Sequence, residues 1–338
     1  MELGELRKAA RERLRGYCRV CRRCDGRACA GEVPGMGGVG TGQGFSANIA
    51  ALAAWRFNMR VIHGVASPNT AVRLFGLDLS MPVLAAPMTG TTYNFGAPMP
   101  EAEFIEALAD GCLRAGTVAL SGDGADPAMY DSGLAALARH GGRGGAIIKP
   151  REHAAVLERI SKAEAAGVAL TGMDIDGAGL LTMALKGQPV GPKTREELGA
   201  IIAATRLPFL VKGIMTVEDA EAAVYAGAAG IVVSNHGGRI LDHTPGAAEV
   251  LPEIAARVRG RTTILADGGV RTGGDVLKLL ALGADAVLVG RPLIVGVVGG
   301  GAEGVELLLN KMRGELAAAM ILTGTADVTD VDPGIVRR

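Results

Sequence analysis

From residue 82 onward the chain alternates between two textures, and this alternation constrains its fold more than any other feature. Short apolar runs rich in Val, Ile, Leu and Ala occur at 82–87 (PVLAAP), 117–121 (TVALS), 145–149 (GAIIK) and 168–174 (VALTGMD). They recur at 208–212 (PFLVK), 230–234 (GIVVS), 262–267 (TTILAD) and 285–290 (DAVLVG). Each is bounded by Gly, Pro or a polar residue, as parallel strands buried on both faces are. Between them, segments such as EAEFIEALADGCLRAG, VEDAEAAVYAGA and GGDVLKLLALGA carry apolar residues three and four apart. That is the period of a helix with one buried face.

Strand then helix, repeated eight times, predicts an α/β fold of the (β/α)8 TIM barrel type. A doubly wound open sheet is the alternative. It is disfavoured because no strand is followed by a GxGxxG helix start with an acidic partner downstream. The barrel is expected over 82–325, with a Cys-rich, partly helical extension at 1–81 covering one end and a tail at 326–338. Within the extension, GMGGVGTGQG (35–44) reads as a Gly-rich loop and FSANIAALAAWRF as a helix.

Composition excludes several partner classes. Lys plus Arg and Asp plus Glu balance at 35 each, whereas nucleic-acid surfaces usually carry excess positive charge. Aromatic residues are 3% of the chain, too few for a base-stacking platform. No apolar run approaches the roughly 20 residues of a membrane span. The N-terminus MELGELRKAARERLRGY is charged and lacks a signal-peptide core. A cytoplasmic location is expected.

In such a barrel, chemistry sits where the strands end. The eight exits read Pro87-Met88-Thr89, Ser121-Gly122-Asp123, Lys149, Asp174 with Asp176, Lys212, Ser234-Asn235-His236, Asp267-Gly268-Gly269 and Gly290-Arg291. ADGGVRTGGD and GRP follow the last two strands, where barrels often build phosphate sites. Their glycines let backbone N–H groups approach an anion, and Arg271 and Arg291 add charge. Lys212 ends an apolar strand and needs a negative partner, either Asp174 or Asp176 or an anionic cofactor. His236 suits a general base. Arg239, three residues on, suits a two-pronged grip on a carboxylate.

LPFLVKGIMTVEDA, AAGIVVSNHGGRILD and ILADGGVRTGGDVLKLLALGADAVLVGRP closely resemble the FMN-dependent α-hydroxy acid oxidases and dehydrogenases. The resemblance is densest over about 208–295 and continues through FGLDLSMPVLAAPMTG and GFSANIAALAAWRFNMRVI. It implies oxidation of a hydroxy acid, with FMN as cofactor, a small-molecule substrate, an external electron acceptor and a homo-oligomer such as a tetramer. Carried over by motif, the catalytic residues are His236 as base, Arg239 as carboxylate anchor and Asp176 as the acid orienting the histidine, with Asp174 the other choice. The cofactor-binding residues are Pro87, Met88, Thr89, Ser121, Lys212, Ser234, Asp267, Gly268, Gly269, Arg271, Gly290 and Arg291. APMTG is also similar to type 2 isopentenyl diphosphate isomerases, another FMN barrel family, and a flavin protein without turnover is a further alternative.

The chain departs from the family where substrate is gripped. Val33 falls nearest a substrate-binding tyrosine. GAIIKPRE replaces a Gln-x-Tyr at the third strand. GAGLLTMALKGQPVGPKT replaces a long mobile loop with a second arginine.

One pattern stands outside the resemblance. Four of the five cysteines form Cys18-x2-Cys21-x2-Cys24-x4-Cys29, and Cys112 stands alone. The spacing admits a tetrahedral zinc site, an iron–sulfur centre without its usual closing Cys-Pro, or apolar thiols with no metal. The sequence assigns no residue to a metal.

Overall fold

Eight short strands close into a barrel in the computed structural model, which describes residues 1–338. They are β1 (Val83–Ala85), β2 (Leu120–Gly122), β3 (Gly145–Ile148), β4 (Leu170–Asp174), β5 (Phe209–Ile214), β6 (Gly230–Val233), β7 (Thr263–Ala266) and β8 (Ala286–Val289). Every expected strand is present, and each pairs in parallel with its sequence neighbour. β8 returns to pair with β1. The seam between β1 and β2 is closed by the Ala85–Ala119 bridge and by Ala85 N–H donating to Val118 O at 3.1 Å.

The outer ring comprises α1 (Glu101–Arg114), α2 (Pro127–Arg139), α3 (His153–Ala165), α4 (Arg195–Ala203), α5 (Val217–Tyr225), α6 (Ala247–Val258), α7 (Gly273–Ala281) and α8 (Arg291–Thr323). Several helices start where the sequence offers a cap. Asp126, Thr194, Thr216 and Thr272 each accept a bond from a first-turn N–H. Apolar side chains of the helices meet the outward faces of the strands in one large core.

The extension covers more than the one end expected. Its Gly-rich loop lies over the C-terminal mouth: Val39 N–H donates to Gly238 O at 2.9 Å, and Arg291 donates to Met36 O at 2.7 Å. The opposite end is closed by an antiparallel hairpin, Val72–Leu74 with Leu77–Leu79. Leu74, Leu77 and Leu79 join Leu84, Leu120, Ile147, Leu210 and Leu288 in the barrel interior. The hairpin alternates buried and exposed residues, so one face seals the barrel while Arg73 and Asp78 stay in water. The tail also joins the extension: Val336–Arg337 pairs antiparallel with Arg56–Phe57.

The membrane expectation needs a correction. Helix α8 is long and apolar enough, by length and composition, to cross a membrane. Its apolar residues are interspersed with glycines, so no unbroken run marks it in the sequence. The backbone leaves helical geometry at Gly300 and Gly301, and the two halves pack against α1, α7 and the N-terminal helix Leu3–Arg13. Leu293, Val297, Val305, Leu309 and Leu316 are fully buried, as the packed face of a barrel helix requires.

Candidate active site

The register of β4 against β5 sets Asp174 beside Lys212 at the barrel mouth. The Lys212 ammonium lies 2.9 Å from Asp174 Oδ1, and Lys149, at the end of β3, bonds Asp174 Oδ2. All three groups are buried. Burial alone would pull the Lys212 pKa down, but Asp174, Asp176 and Asp267 outweigh it and hold the ammonium above its ordinary range. For Asp174, burial favours the acid, yet His236, Lys149 and Lys212 together keep the carboxyl well below its usual range. Lysines from the strands on either side of β4 thus share one carboxylate.

His236 comes from the turn after β6. It has φ +58° and is followed by Gly237 at +64° and Gly238 at +76°. Three consecutive left-handed residues fold the chain sharply and turn the imidazole over the mouth. Gly238 is packed so tightly that an added Cβ would lie 2.1 Å from Phe45 N. Asn235 staples this turn to the extension. Its side chain donates to Gly44 O and accepts from Asn48 at 2.7 Å.

The histidine has two acidic neighbours. Nδ1 is 3.0 Å from Asp176 Oδ1 and 3.4 Å from Asp174 Oδ1. Asp174 already binds two lysines, so Asp176 is the partner that orients the ring. The choice left open by the sequence falls to Asp176. Gly213 makes room for it. An added Cβ there would lie 2.7 Å from Asp176 Cγ.

Arg239 is half-buried at the mouth. Burial pulls its pKa down to about 10. It donates to Gly35 O and, at 2.9 Å, to Asn94 Oδ1. Arg291 donates to the carbonyls of Met36, Gly37 and Gly237, and its guanidinium stacks on Phe45 at 3.9 Å. Arg271 reaches Val270 O and the Cys24 side chain. These three guanidiniums converge with no carboxylate bonded to any of them. Burial first, then Arg239 and Arg271, pull the Arg291 pKa down to about 9. A guanidinium stays protonated in proteins, so the site calls for an anion.

A cavity of about 150 Å³ opens between these groups. Pro87, Met88, Thr89, Lys212, His236, Arg239, Asp267, Gly268, Gly269, Arg271, Gly290 and Arg291 all line it. It adjoins a second cavity of about 530 Å³, which shares Met36, Gly269, Arg271 and Arg291 with it. Asp267 Oδ1 and Arg271 Nε are buried with no hydrogen-bond partner. Arg271 Nε, an unpaired donor beside a cation-rich, glycine-lined space, fits a phosphate, and Asp267 Oδ1, an unpaired acceptor, fits a hydroxyl; FMN carries both groups.

Two expected cofactor contacts are not brought into the cavity. Ser121 is buried beneath the end of β2, against α2, where Gly133 approaches it closely. Ser234 accepts a bond from His236 N–H at 3.0 Å and braces the turn from within. The Ser121 side chain points into the packed layer between strand and helix, whereas that of Ser234 faces the turn and the Asp267 carboxyl from below.

Other lining residues escaped the sequence reading of the site. Tyr93 and Asn94 follow β1, and Tyr93 OH lies 3.3 Å from Met129 Sδ. Lys149 was visible as a strand exit but carried no role. Leu180, Thr182 and Met183 come from the short segment after β4. Tyr93 stands four residues after Thr89 in the same loop, and that proximity was the available signal.

A sequence model described as FMN-dependent dehydrogenase matches residues 35–183 and 181–338. An L-lactate oxidase of Alicycliphilus denitrificans is 33% identical over 338 residues, covering 87% of this chain and 88% of the relative. A 2-hydroxyacid oxidase of Dictyostelium discoideum is 51% identical over 143 residues, 42% of this chain. In that second match the chain spans 37% of the relative's length. A crystal structure of mandelate oxidase with benzoyl-formic acid superposes with a TM-score of 0.80 and 32% identity, covering 99% of this chain and 97% of the other. With the barrel, the His236–Asp176 pair and the anion-seeking arginines, these matches assign the chain to the FMN-dependent dehydrogenase family.

Proposed function

We propose that this protein is an FMN-dependent oxidoreductase that converts a 2-hydroxy acid, or a related hydroxy compound, to its 2-oxo product. One observation carries the reading: a histidine bonded to a carboxylate and a half-buried arginine with no acidic partner line the same cavity. A 2-hydroxy acid needs both, a base for its proton and a cation for its carboxylate. The relatives named as lactate, mandelate and 2-hydroxyacid oxidases support the same substrate class.

Pro87 to Thr89, Lys212, Asp267 to Arg271, Gly290 and Arg291 would hold FMN, which when bound supplies the acceptor for two electrons. The protein's own part is positioning and proton transfer. Asp176 engages His236 Nδ1, which leaves Nε2 to take the substrate proton. The imidazolium so formed lies against Asp176 and Asp174, whose negative charge favours it. Arg239 offers a planar fork to the substrate carboxylate, which would compete for N–H groups now directed at Gly35 O and Asn94. The Gly-rich loop and Met183 screen the mouth from water, which strengthens each of these charge interactions.

Anaerobic mixing of the FMN-loaded protein with aliphatic and aromatic 2-hydroxy acids tests this. Bleaching of the flavin absorption by at least one acid is expected. Flavin that responds to dithionite but to none of the acids, with turnover of an allylic diphosphate instead, would overturn the reading in favour of an isomerase.

The same proposal extends to setting. Five free cysteines suit a reducing cytoplasm. Met59, Val61, Ile62 and Leu322 form an exposed apolar patch, joined by Arg60 N–H donating to Leu322 O at 2.9 Å. Such a patch supports a homo-oligomer. Light scattering at the mass of one chain would contradict that part.

A further inference from the structure

The larger of the two adjoining cavities is lined by all four N-terminal cysteines. Cys18, Cys21, Cys24 and Cys29 are half-buried free thiols, and each faces the same space of about 530 Å³. No disulfide joins any of them. The family resemblance and the hydroxy-acid reading use none of them.

The segment that carries them has almost no secondary structure of its own. Between the helices Leu3–Arg13 and Gln43–Ala54 there is only a short 3-10 turn, Arg27–Cys29. Arginines of the first helix hold its shape instead. Arg7 donates to Val20 O and Cys21 O at 3.1 and 2.7 Å, and Arg11 donates to Arg19 O at 3.1 Å. Val20 is held at φ +46°, a strained value for a β-branched residue. It lies between Cys18 and Cys21, its N–H 3.4 Å from Cys18 Sγ, and both cysteines line the chamber. Strain of this kind persists only where the surroundings over-determine it, and it gathers at functional sites.

The spacing of the sulfurs decides which ligand suits them. A single tetrahedral zinc, with Zn–S bonds of about 2.3 Å, draws its sulfurs to within about 4 Å of one another. The only set of three or more His, Cys, Asp or Glu ligand atoms lying within 4.8 Å of one another is Asp174, Asp176 and His236. The cysteines surround their cavity more widely. An iron–sulfur cluster spreads its thiolates over several irons and accepts a wider ring, and the Cys-x2-Cys-x2-Cys spacing is one that such clusters use.

The surrounding charge points the same way. Arg271 Nη2 lies 3.3 Å from Cys24 Sγ, and Arg291 lines the same chamber. A cluster bound by four thiolates is an anionic group, and these two arginines have no carboxylate partner.

We propose that Cys18, Cys21, Cys24 and Cys29 ligate an iron–sulfur cluster in the chamber beside the FMN site. Assembly takes sulfide and iron from solution, the iron already ferric and ferrous in the ratio the cluster holds, and releases the four thiol protons, so each Fe–Sγ bond replaces an S–H bond and no electron is gained or lost. The proposal does not depend on which substrate the barrel oxidises.

The test is anaerobic purification of the full chain from iron-supplied cells, followed by anaerobic reconstitution with ferric and ferrous iron and sulfide. Two to about four irons per chain with matching acid-labile sulfide are expected. A broad visible absorption that survives removal of FMN, and an electron paramagnetic resonance signal on reduction, should accompany them. Cys18→Ser and Cys21→Ser should each lose most of the iron while keeping a cooperative unfolding transition. That separates loss of a ligand from loss of the fold. Three outcomes overturn the proposal. One is a single zinc per chain. Another is less than about 0.2 iron after reconstitution with all four cysteines titrating as free thiols. The third is iron retained undiminished in both serine variants.

Discussion

His236 Nδ1 lies 3.0 Å from Asp176 Oδ1, across the gap between the turn after β6 and the 3-10 turn after β4. The contact fixes the ring through one nitrogen and frees the other. It also sets a carboxylate where positive charge forms once the base takes a proton.

Replacing the base should therefore separate chemistry from binding. His236→Ala is expected to retain FMN while substrate-driven flavin reduction falls by about 10²–10⁴. Asp176→Asn acts only through the ring, so its loss should be smaller and its rate should show a shifted pH profile. Stopped-flow reduction across a pH series measures both. Near-normal reduction by the His236 variant would refute the assigned base.

Arg291 should govern retention of the cofactor. Its charge is half-buried with no carboxylate partner, held by Phe45 and three backbone carbonyls. A charge-assisted bond contributes about 1.5–3 kcal/mol, so Arg291→Ala should raise the FMN dissociation constant about 10- to 100-fold. Arg291→Lys keeps the charge and should lose less. Fluorescence titration of apoprotein with FMN reads the difference, and equal affinities in all three proteins would show that Arg291 does not hold the phosphate.

Much of this was legible in the sequence because it depends on order along the chain. Eight apolar runs with helical segments between them predict the barrel, and the polar residues at each exit mark the mouth. Pairings across space were not legible. Asp174 and Asp176 look alike in sequence, and only the second lysine, Lys149, occupies the first and leaves His236 to the second. The hairpin at 72–79 is too short to signal that it seals the barrel. Ser121 and Ser234 sit at strand ends, but a strand's side chains alternate between core and mouth, and a shift of one residue reverses which way each points.

The shared carboxylate of Asp174 should matter for stability. Asp174→Asn removes the one carboxylate bonded to both buried lysines, leaving Lys149 without an ion-pair partner and Lys212 with only the field of Asp176 and Asp267, and breaking a buried pair typically costs about 3–5 kcal/mol. The Asp174 carboxyl is held below its ordinary value, so the stabilisation it brings is complete above about pH 4. That stabilisation is lost as the pH falls through the lowered folded value. Wild type should thus keep this contribution at neutral and mildly acid pH, and the variant should melt lower throughout that range. Thermal unfolding at pH 5 and pH 7 checks both parts, and an unchanged Tm at both values would contradict the assignment.

Gly213 controls the histidine from a distance. It sits at φ +102° where the β5–β6 register shifts, a backbone state that favours glycine. An added methyl would lie 2.7 Å from Asp176 Cγ, 2.8 Å from its Cβ and 2.9 Å from its N. The neighbours include backbone, so they cannot yield as the end of a flexible side chain would. Gly213→Ala should cost about 1–2 kcal/mol for the left-handed conformation alone. It should also push Asp176 off Nδ1 and release the ring. The expected result is a modestly lower Tm, intact FMN binding, and a fall in reduction rate that approaches that of Asp176→Asn. In the Asp176→Asn background the same change should then cost little further rate, because both act through one contact. Independent, multiplying losses in the double variant would mean that Gly213 works by some route other than Asp176.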